Sequence, residues 1–176
     1  MSLAIQLPPR EDQMEFNLRI WEQLLADPTL AKIEGRTETD RHGHLIMSPP
    51  PGSFHSSRQS RIAILLDRLL GGRALTECPL STSDGVKAAD VAWFSEVRYA
   101  RAFDPRCFLE AGELCVEVIS PSNTTAEMEE KMALYFDAGA IEVWFCDEDG
   151  SMRYFSPSGP LEKSLLCTDF PAMIES

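Results

Sequence analysis

Two charged side chains stand where the sequence otherwise predicts apolar burial. Glu117 lies in the middle of the run 114–119, which reads Leu-Cys-Val-Glu-Val-Ile. Lys131 lies on the apolar stripe of the next segment, three residues after Met128 and four before Tyr135. Because burying an unpaired charge costs several kcal/mol, we expect both side chains to have partners or to bind a ligand.

A third candidate is Asp90, which opens the predicted strand 89–94 with Ala92 and Phe94 on its own face. Two carboxylates that converge with a lysine suit the hydrolysis of phosphodiesters. Carboxylate oxygens hold Mg²⁺, which polarises a phosphoryl oxygen and lowers the pKa of a bound water. An ammonium group stabilises the negative charge that develops. The three residues therefore form a candidate site for metal-assisted hydrolysis.

Each of these residues also has a structural interpretation. Glu117 could pair with an arginine, or its strand could lie nearer an edge of the sheet. Asp90 could be a turn or cap residue, and Lys131 could extend its ammonium group to water. A crossover helix packs on one face of its sheet, so Lys131 reaches Glu117 only if Glu117 points to that face.

The segment around Glu117 and Lys131 is the most clearly defined part of the predicted fold. Thr124 and Glu127 form a capping box for a helix over 125–138, and Gly139 ends it. Strand 114–119, this helix and strand 141–146 follow with short connections, which is typical of a crossover between parallel strands. Apart from Glu117, the first strand is apolar on both faces, so we predict a central position in the sheet.

Elsewhere the chain alternates between helical and extended patterns. A helix is predicted over 10–26, ending before Asp27-Pro28, and a second over 55–70, closed by Gly71-Gly72. The remaining predictions are a hairpin around the apolar run 44–47, strands 73–80, 89–94 and 152–156, and an irregular connection over 98–112. We predict one domain over 1–176.

Composition and the absence of certain motifs argue against several classes of function, although the acidic charge does not forbid nucleic-acid binding through a local basic cluster or bound cations. The net charge of −12 argues against a broad electrostatic contact with nucleic acid. No apolar run approaches the roughly 20 residues that span a membrane, and the N-terminus lacks the basic segment of a signal peptide. Five cysteines without a CxxC pair favour reduced thiols and a cytoplasmic location. The sequence contains neither the GxSxG motif of serine hydrolases nor a phosphate-binding GxxxxGK[ST] loop.

These features together resemble the PD-(D/E)XK nuclease superfamily, and within it the Uma family of restriction endonuclease-like proteins. The resemblance covers residues 34–156. It is strongest at Ala-Asp-Val-Ala (89–92), Val-Glu-Val-Ile-Ser-Pro-Ser (116–122) and Glu-Lys-Met (130–132), continuing through Tyr135, Gly139 and Trp144. The stretch from Gly43 to Pro50 and the following His55 are also similar.

The resemblance implies an α/β fold with a restriction-endonuclease-like core, in which a central mixed β-sheet is flanked by helices. The core would span 34–156, and helix 10–26 would be an addition at the N-terminus. The resemblance also implies that Asp90 and Glu117 bind the metal and that Lys131 is the catalytic lysine, carried on the helix.

Three positions depart from the family pattern. Ile119 stands where the superfamily usually has its lysine, so catalysis would need Lys131 instead. Ala89 replaces a proline and Asn123 replaces an aspartate. Two further residues are possible members of the site: Glu38, near an acidic position of the first hairpin, and His55, which could instead cap its helix or bind the backbone.

The resulting hypothesis is an endonuclease that uses Mg²⁺ or Mn²⁺ to cleave DNA. The alternative is a catalytically inactive nuclease-fold protein that serves as a binding or oligomeric interaction module, which the acidic charge and Ile119 favour. As an oligomeric protein it would bury a homodimer interface on the N-terminal helix, with Phe16, Trp21 and Leu25, and such oligomerisation is compatible with either function.

Overall fold

The computed structural model describes residues 9–33 and 35–175. Its helices are α1 (Arg10–Ala26), α2 (Ser53–Leu70), α3 (Glu96–Ala102) and α4 (Thr125–Asp137), with a short 3₁₀ turn at Leu30–Lys32. Its strands are β1 (Arg36–Thr39), β2 (Leu45–Ser48), β3 (Arg73–Thr82), β4 (Gly85–Phe94), β5 (Leu114–Val118), β6 (Glu142–Cys146), β7 (Met152–Ser156) and β8 (Gly159–Leu161). The predicted start of the core at residue 34, and both ends of the predicted domain, at residues 1–8 and 176, lie outside the described residues.

The central sheet contains six strands in the order β3-β4-β5-β6-β7-β8. Its neighbours pair antiparallel except β5 and β6, which are parallel and are connected through α4. The predicted crossover and the predicted α/β fold with a mixed sheet are both confirmed. Strands β1 and β2 form a separate two-stranded hairpin.

Helices cover the central sheet on both faces. Successive side chains of β5 point in opposite directions, so they contact different helices. Cys115 belongs to the apolar cluster that contains Met128 and Tyr135 of α4. Val116 belongs to the opposite cluster, which contains Ile62 and Leu66 of α2. Glu117 alternates with Val116 and so points towards α4.

The capping box at the start of α4 is present as predicted. The Thr124 hydroxyl accepts the Glu127 backbone N–H, and the Glu127 carboxylate accepts the Thr124 N–H. These bonds satisfy backbone donors that have no partner within the helix. The cap fixes where α4 begins and therefore which residues of α4 face β5.

The prediction of an irregular connection over 98–112 is wrong in its first part, since α3 occupies Glu96–Ala102. The Ser95 side chain accepts the Arg98 N–H and caps this helix. Glu113 holds the cap in place by accepting both the N–H and the hydroxyl of Ser95. Ser95 followed by Glu96 was the local signal of this helix start.

Helix α1 does not bury the apolar stripe that its sequence spacing suggests, which consists of Phe16, Ile20 and Leu24. Its buried residues are Gln13, Asn17 and Trp21. The Asn17 amide donates to the Ser81 hydroxyl and to the Thr82 carbonyl, both at 2.9 Å. The polar end of β3 thus selects a polar helix face.

No helix within the part of the chain described here is long and apolar enough to cross a membrane.

Candidate active site

A cleft of about 760 Å³ lies between the β1–β2 hairpin, the start of α2 and one side of α4. All five residues singled out in the sequence line it: Glu38, His55, Asp90, Glu117 and Lys131. They come from β1, α2, β4, β5 and α4. The tertiary structure therefore brings together residues that are up to 93 positions apart in the chain.

The register of β4 against β5 places Asp90 beside Glu117. Val91 pairs with Val116, so the next position of the same antiparallel register sets Asp90 opposite Glu117. Residues that stand opposite each other in neighbouring strands point to the same face. The two carboxylates therefore enter the cleft side by side, and both are buried, with relative exposures of 1% and 3%.

Each oxygen of the Asp90 carboxylate has a partner. Oδ2 accepts the backbone N–H of Val118 at 2.6 Å and lies 3.3 Å from Nε2 of His55. Oδ1 accepts a hydrogen bond from Nη2 of Arg36. Burial and the nearby Arg36 cation lower the pKa of His55, so its imidazole is neutral at pH 7. Asp90 is a buried site residue at the centre of β4, where the sequence predicted the start of a strand.

Glu117 faces α4. Its Oε1 accepts the Tyr135 hydroxyl hydrogen at 2.5 Å, and its Oε2 lies 3.4 Å from Nζ of Lys131. Oε2 also lies 3.8 Å from Nη1 of Arg36. The structural alternative proposed for Glu117, pairing with an arginine, is thus present together with the expected approach of Lys131.

Lys131 points into the cleft and not to open water. Its Nζ lies 2.9 Å from Oε1 of Glu38, which also accepts the Ala88 backbone N–H. Burial alone would lower the pKa of Lys131, but the negative charges of Glu117 and Glu38 outweigh it and raise that pKa above the ordinary lysine value. Lys131 is therefore a cation throughout the neutral pH range.

The sequence predictions missed three members of the site: Arg36, Gln59 and Glu77. Arg36 and Glu38 are two residues apart on β1, and this spacing puts them on one face. The alternation of opposite charges in this short strand was the only local signal that Arg36 belongs to the site. Glu77 of β3 lies opposite Asp90 of β4, because the residues on either side of it pair with the neighbours of Asp90. The backbone of Glu77 has a left-handed φ of 50°.

These three residues form a connected network beside Asp90. Arg36 donates from Nε and Nη2 to the two carboxylate oxygens of Glu77, at 2.9 and 3.0 Å. The Gln59 amide donates to Oε1 of Glu77 at 2.7 Å and to the Asp90 carbonyl at 2.8 Å. Burial would lower the pKa of Arg36, but Glu117, Glu77 and Glu38 together raise it.

Acidic side chains outnumber basic ones around the cleft. Seven are acidic and three are basic, and these are Glu38, Glu77, Asp84, Asp90, Glu117, Glu127 and Glu130 against Arg36, Lys87 and Lys131. Walls of low dielectric strengthen the field of such an imbalance. The cleft therefore attracts cations.

The pair Asp90 and Glu117 fits a divalent metal in its chemistry. No group of three or more His, Cys, Asp and Glu side chains with a metal-binding arrangement occurs in residues 9–33 and 35–175. Mg²⁺, however, often takes only one or two carboxylates and keeps several waters. Both carboxylates contact one guanidinium, that of Arg36, so both lie against the same cationic group. The donor set fits Mg²⁺ or Mn²⁺ once Arg36 withdraws from Asp90.

Residues 21–164 match the model of the Uma2 family, which is described as "Putative restriction endonuclease". The chain belongs to the Uma2 family. A solved structure with a similar fold is that of "a putative nuclease belonging to DUF820" from Anabaena variabilis. The two chains superpose with a TM-score of 0.69 at 17% identity, covering 87% of this chain and 93% of the other. No curated protein matches this chain significantly.

The lysine that approaches Glu117 in this Uma2 protein comes from helix α4 and not from strand β5. Ile119, two residues after Glu117, packs against the apolar cluster that includes Tyr135. Lys131 brings its ammonium group to Glu117 from α4, which packs on this same face of the sheet. All five cysteines are buried and unpaired, and burial raises the pKa of each thiol, to about 12 in Cys107. They are therefore protonated and poor nucleophiles.

Proposed function

We propose that this Uma2 protein is a divalent-metal-dependent endonuclease that hydrolyses phosphodiester bonds in DNA. One observation carries the proposal: Asp90, Glu117 and Lys131 meet in one acidic cleft. Glu117 lies 3.4 Å from Lys131 and shares the Arg36 guanidinium with Asp90. Membership of a restriction-endonuclease-like family and the fold support a nuclease in general; metal dependence and DNA as substrate are our proposals.

Asp90 and Glu117 would hold the metal, Mg²⁺ or Mn²⁺. A bound ion of this type polarises a phosphoryl oxygen and lowers the pKa of its own water. Lys131, held as a cation by Glu117 and Glu38, cannot accept a proton from water. Its N–H groups instead orient the attacking water and stabilise the charge that develops on the phosphate. Glu38 positions Lys131, and His55 lies against Asp90 as a further member of the site.

The charge of the protein gives the metal a second role. A net charge of −12 and an acidic cleft repel the phosphates of DNA. A divalent cation in the cleft offsets part of this repulsion at the point where the phosphate must approach. We therefore propose that productive DNA binding depends on the metal.

An inactive binding module is the second candidate, and one observation favours it. The carboxylates of Glu38, Asp90 and Glu117 already have protein cations as partners. These pairs compensate the buried charges without a ligand. As for the proposed homodimer, Trp21 packs inside the chain against Val86, whereas Leu25 is 60% exposed and remains available for a partner. A cytoplasmic location also remains a proposal, based on the cysteine pattern.

The decisive experiment compares cleavage of supercoiled, linear duplex and single-stranded DNA with Mg²⁺, with Mn²⁺ and with EDTA. Wild-type protein is expected to cleave only with metal. Asp90→Asn, Glu117→Gln and Lys131→Met should each reduce cleavage by about a hundredfold or more. Matched controls are Glu129→Gln, exposed on the same helix as Lys131, and Lys163→Met, also exposed.

Activity that survives equally in all the variants would identify a contaminating nuclease and reject the proposed site. Absence of cleavage by folded wild-type protein on all three DNA forms would favour the inactive binding module. A metal-dependent DNA-binding measurement on the same proteins would then test that second function directly.

A further inference from the structure

Arg36 occupies the point at which the carboxylates of the site converge. Its Nη2 donates to Oδ1 of Asp90, and its Nη1 lies 3.8 Å from Oε2 of Glu117. Its side chain is only 15% exposed. The guanidinium is therefore a cation built into the position that a metal bound to these two carboxylates would take.

A metal that approaches Asp90 from the cleft competes with Arg36 for the same carboxylate oxygen. Its Oδ2 is engaged by the Val118 backbone N–H at 2.6 Å, within the sheet, and that bond is not easily given up. Its Oδ1 is the oxygen that faces the cleft, and Arg36 already binds it. Mg²⁺ bonds to oxygen at about 2.0–2.1 Å, a distance that leaves no room for a guanidinium hydrogen bond in the same direction. Metal binding therefore requires Arg36 to leave Asp90.

Glu77 provides a second partner for the displaced guanidinium. It accepts hydrogen bonds from Nε and Nη2 of Arg36 at its two oxygens, the bidentate geometry that suits an arginine best. Gln59 donates to the same carboxylate at 2.7 Å and holds it in place. Arg36 can thus release Asp90 while keeping a counter-ion.

We infer that Arg36 is a positioning residue that competes with the divalent metal for Asp90 and so sets the metal affinity of the site. This inference rests on the proposed metal-dependent function. The site binds metal only in the fraction of molecules in which Arg36 has withdrawn, so the apparent affinity is lower than the intrinsic one by that fraction. Removing Arg36 should therefore tighten metal binding, whereas loss of a merely structural ion pair would weaken it.

The test measures Mn²⁺ binding to DNA-free protein, by calorimetry and by the electron paramagnetic resonance signal of unbound Mn²⁺. Arg36→Met is expected to bind Mn²⁺ roughly tenfold or more tightly than wild type. Lys87→Met is the matched control, because Lys87 also lines the cleft but bonds to Thr39 and Asp84. This control removes the same charge without touching Asp90, so a clearly smaller gain is expected.

Three outcomes would overturn the inference. Equal or weaker Mn²⁺ binding by folded Arg36→Met, with binding by wild type intact, would reject it and leave the proposed function standing. Equal gains in Mn²⁺ affinity in Arg36→Met and Lys87→Met would show that the loss of any positive charge in the cleft has the same effect, and would reject a specific role of Arg36. No Mn²⁺ binding by either wild type or Arg36→Met would reject the metal site as well. If Arg36→Met fails to fold, Arg36→Gln, which keeps hydrogen-bond donors, carries the same expectation.

Discussion

Tyr135 of α4 donates its hydroxyl hydrogen to Oε1 of Glu117 on β5, over 2.5 Å and in a fully buried position. This bond engages one oxygen of the carboxylate and turns the other, Oε2, towards Lys131 and Arg36. The apolar cluster around Tyr135 keeps its ring in place. Tyr135 therefore orients Glu117 for whatever cation binds in the cleft.

Tyr135→Phe should keep the fold and weaken the site. Loss of a residue that orients a metal ligand typically reduces metal affinity or activity by about 10–100-fold. We expect a reduction of that size in Mn²⁺ affinity and in metal-dependent cleavage, measured at equal protein concentration. The control is Tyr154→Phe, which loses a hydrogen bond to the Pro171 carbonyl away from the cleft. Unchanged metal affinity in Tyr135→Phe would contradict an orienting role.

The same tyrosine should resist alkaline titration. Burial, together with the charges of Glu117 and Glu38, raises the pKa of Tyr135 well above the usual value, which is about 10 in an unfolded chain. Above that pH the unfolded state loses this proton and the native state keeps it. The stabilising contribution of neutral Tyr135 is therefore complete below about pH 10 and is lost as the pH rises further.

Absorbance at 295 nm measures this directly. Native wild type and native Tyr135→Phe should show the same phenolate increase up to the pH of alkaline unfolding. In urea the wild type should show one additional phenolate. A smaller increase in the native variant than in the native wild type would mean that Tyr135 titrates in the folded protein.

A second buried strand carboxylate, Glu142 on β6, has a structural role. It accepts hydrogen bonds from the Trp144 indole, the Ser164 hydroxyl and the N–H groups of Leu165 and Leu166. Glu142→Ala would leave these donors buried without an acceptor, so we expect a loss of about 3 kcal/mol or more in the free energy of unfolding. Urea denaturation measures it, with the exposed Glu162→Ala as control. Equal midpoints for the two variants would show that the C-terminal segment does not depend on Glu142.

The capping box of α4 should make a smaller contribution. Thr124→Ala removes the acceptor for the Glu127 N–H and should lower the free energy of unfolding by about 1 kcal/mol. Thr125→Ala, one residue later and exposed, is the control and should change stability by only a few tenths. The comparison uses the midpoints of urea denaturation, provided that the m value, the dependence of the free energy of unfolding on urea concentration, is the same for both variants. A loss of equal size in both variants would mean that the cap is not the source of the effect.

Local patterns predicted the crossover unit well. The stop at Gly139, the capping box and the apolar run of β5 are each properties of a few consecutive residues, and they fix α4 between β5 and β6. The helical spacing from Lys131 to Tyr135 then predicted one face for both side chains, and both contact Glu117. By contrast, α3 was missed although Ser95 and Glu96 are a local signal of a helix start, because a helix of seven residues shows little apolar periodicity.

The sequence by itself predicted three of the four α-helices in the described part of the chain, the crossover unit and the three central residues of the candidate site, since spacing and hydrophobicity encode these over short ranges. The mixed sheet was expected from the family resemblance. Only the tertiary structure decided which partners those residues have. Glu117 and Glu142 are both glutamates in apolar strands, yet one faces the cleft and the other holds the C-terminal segment. Arg36 reaches Asp90 across 54 positions of the chain. Such contacts depend on strand register and packing between distant segments, which no local pattern specifies.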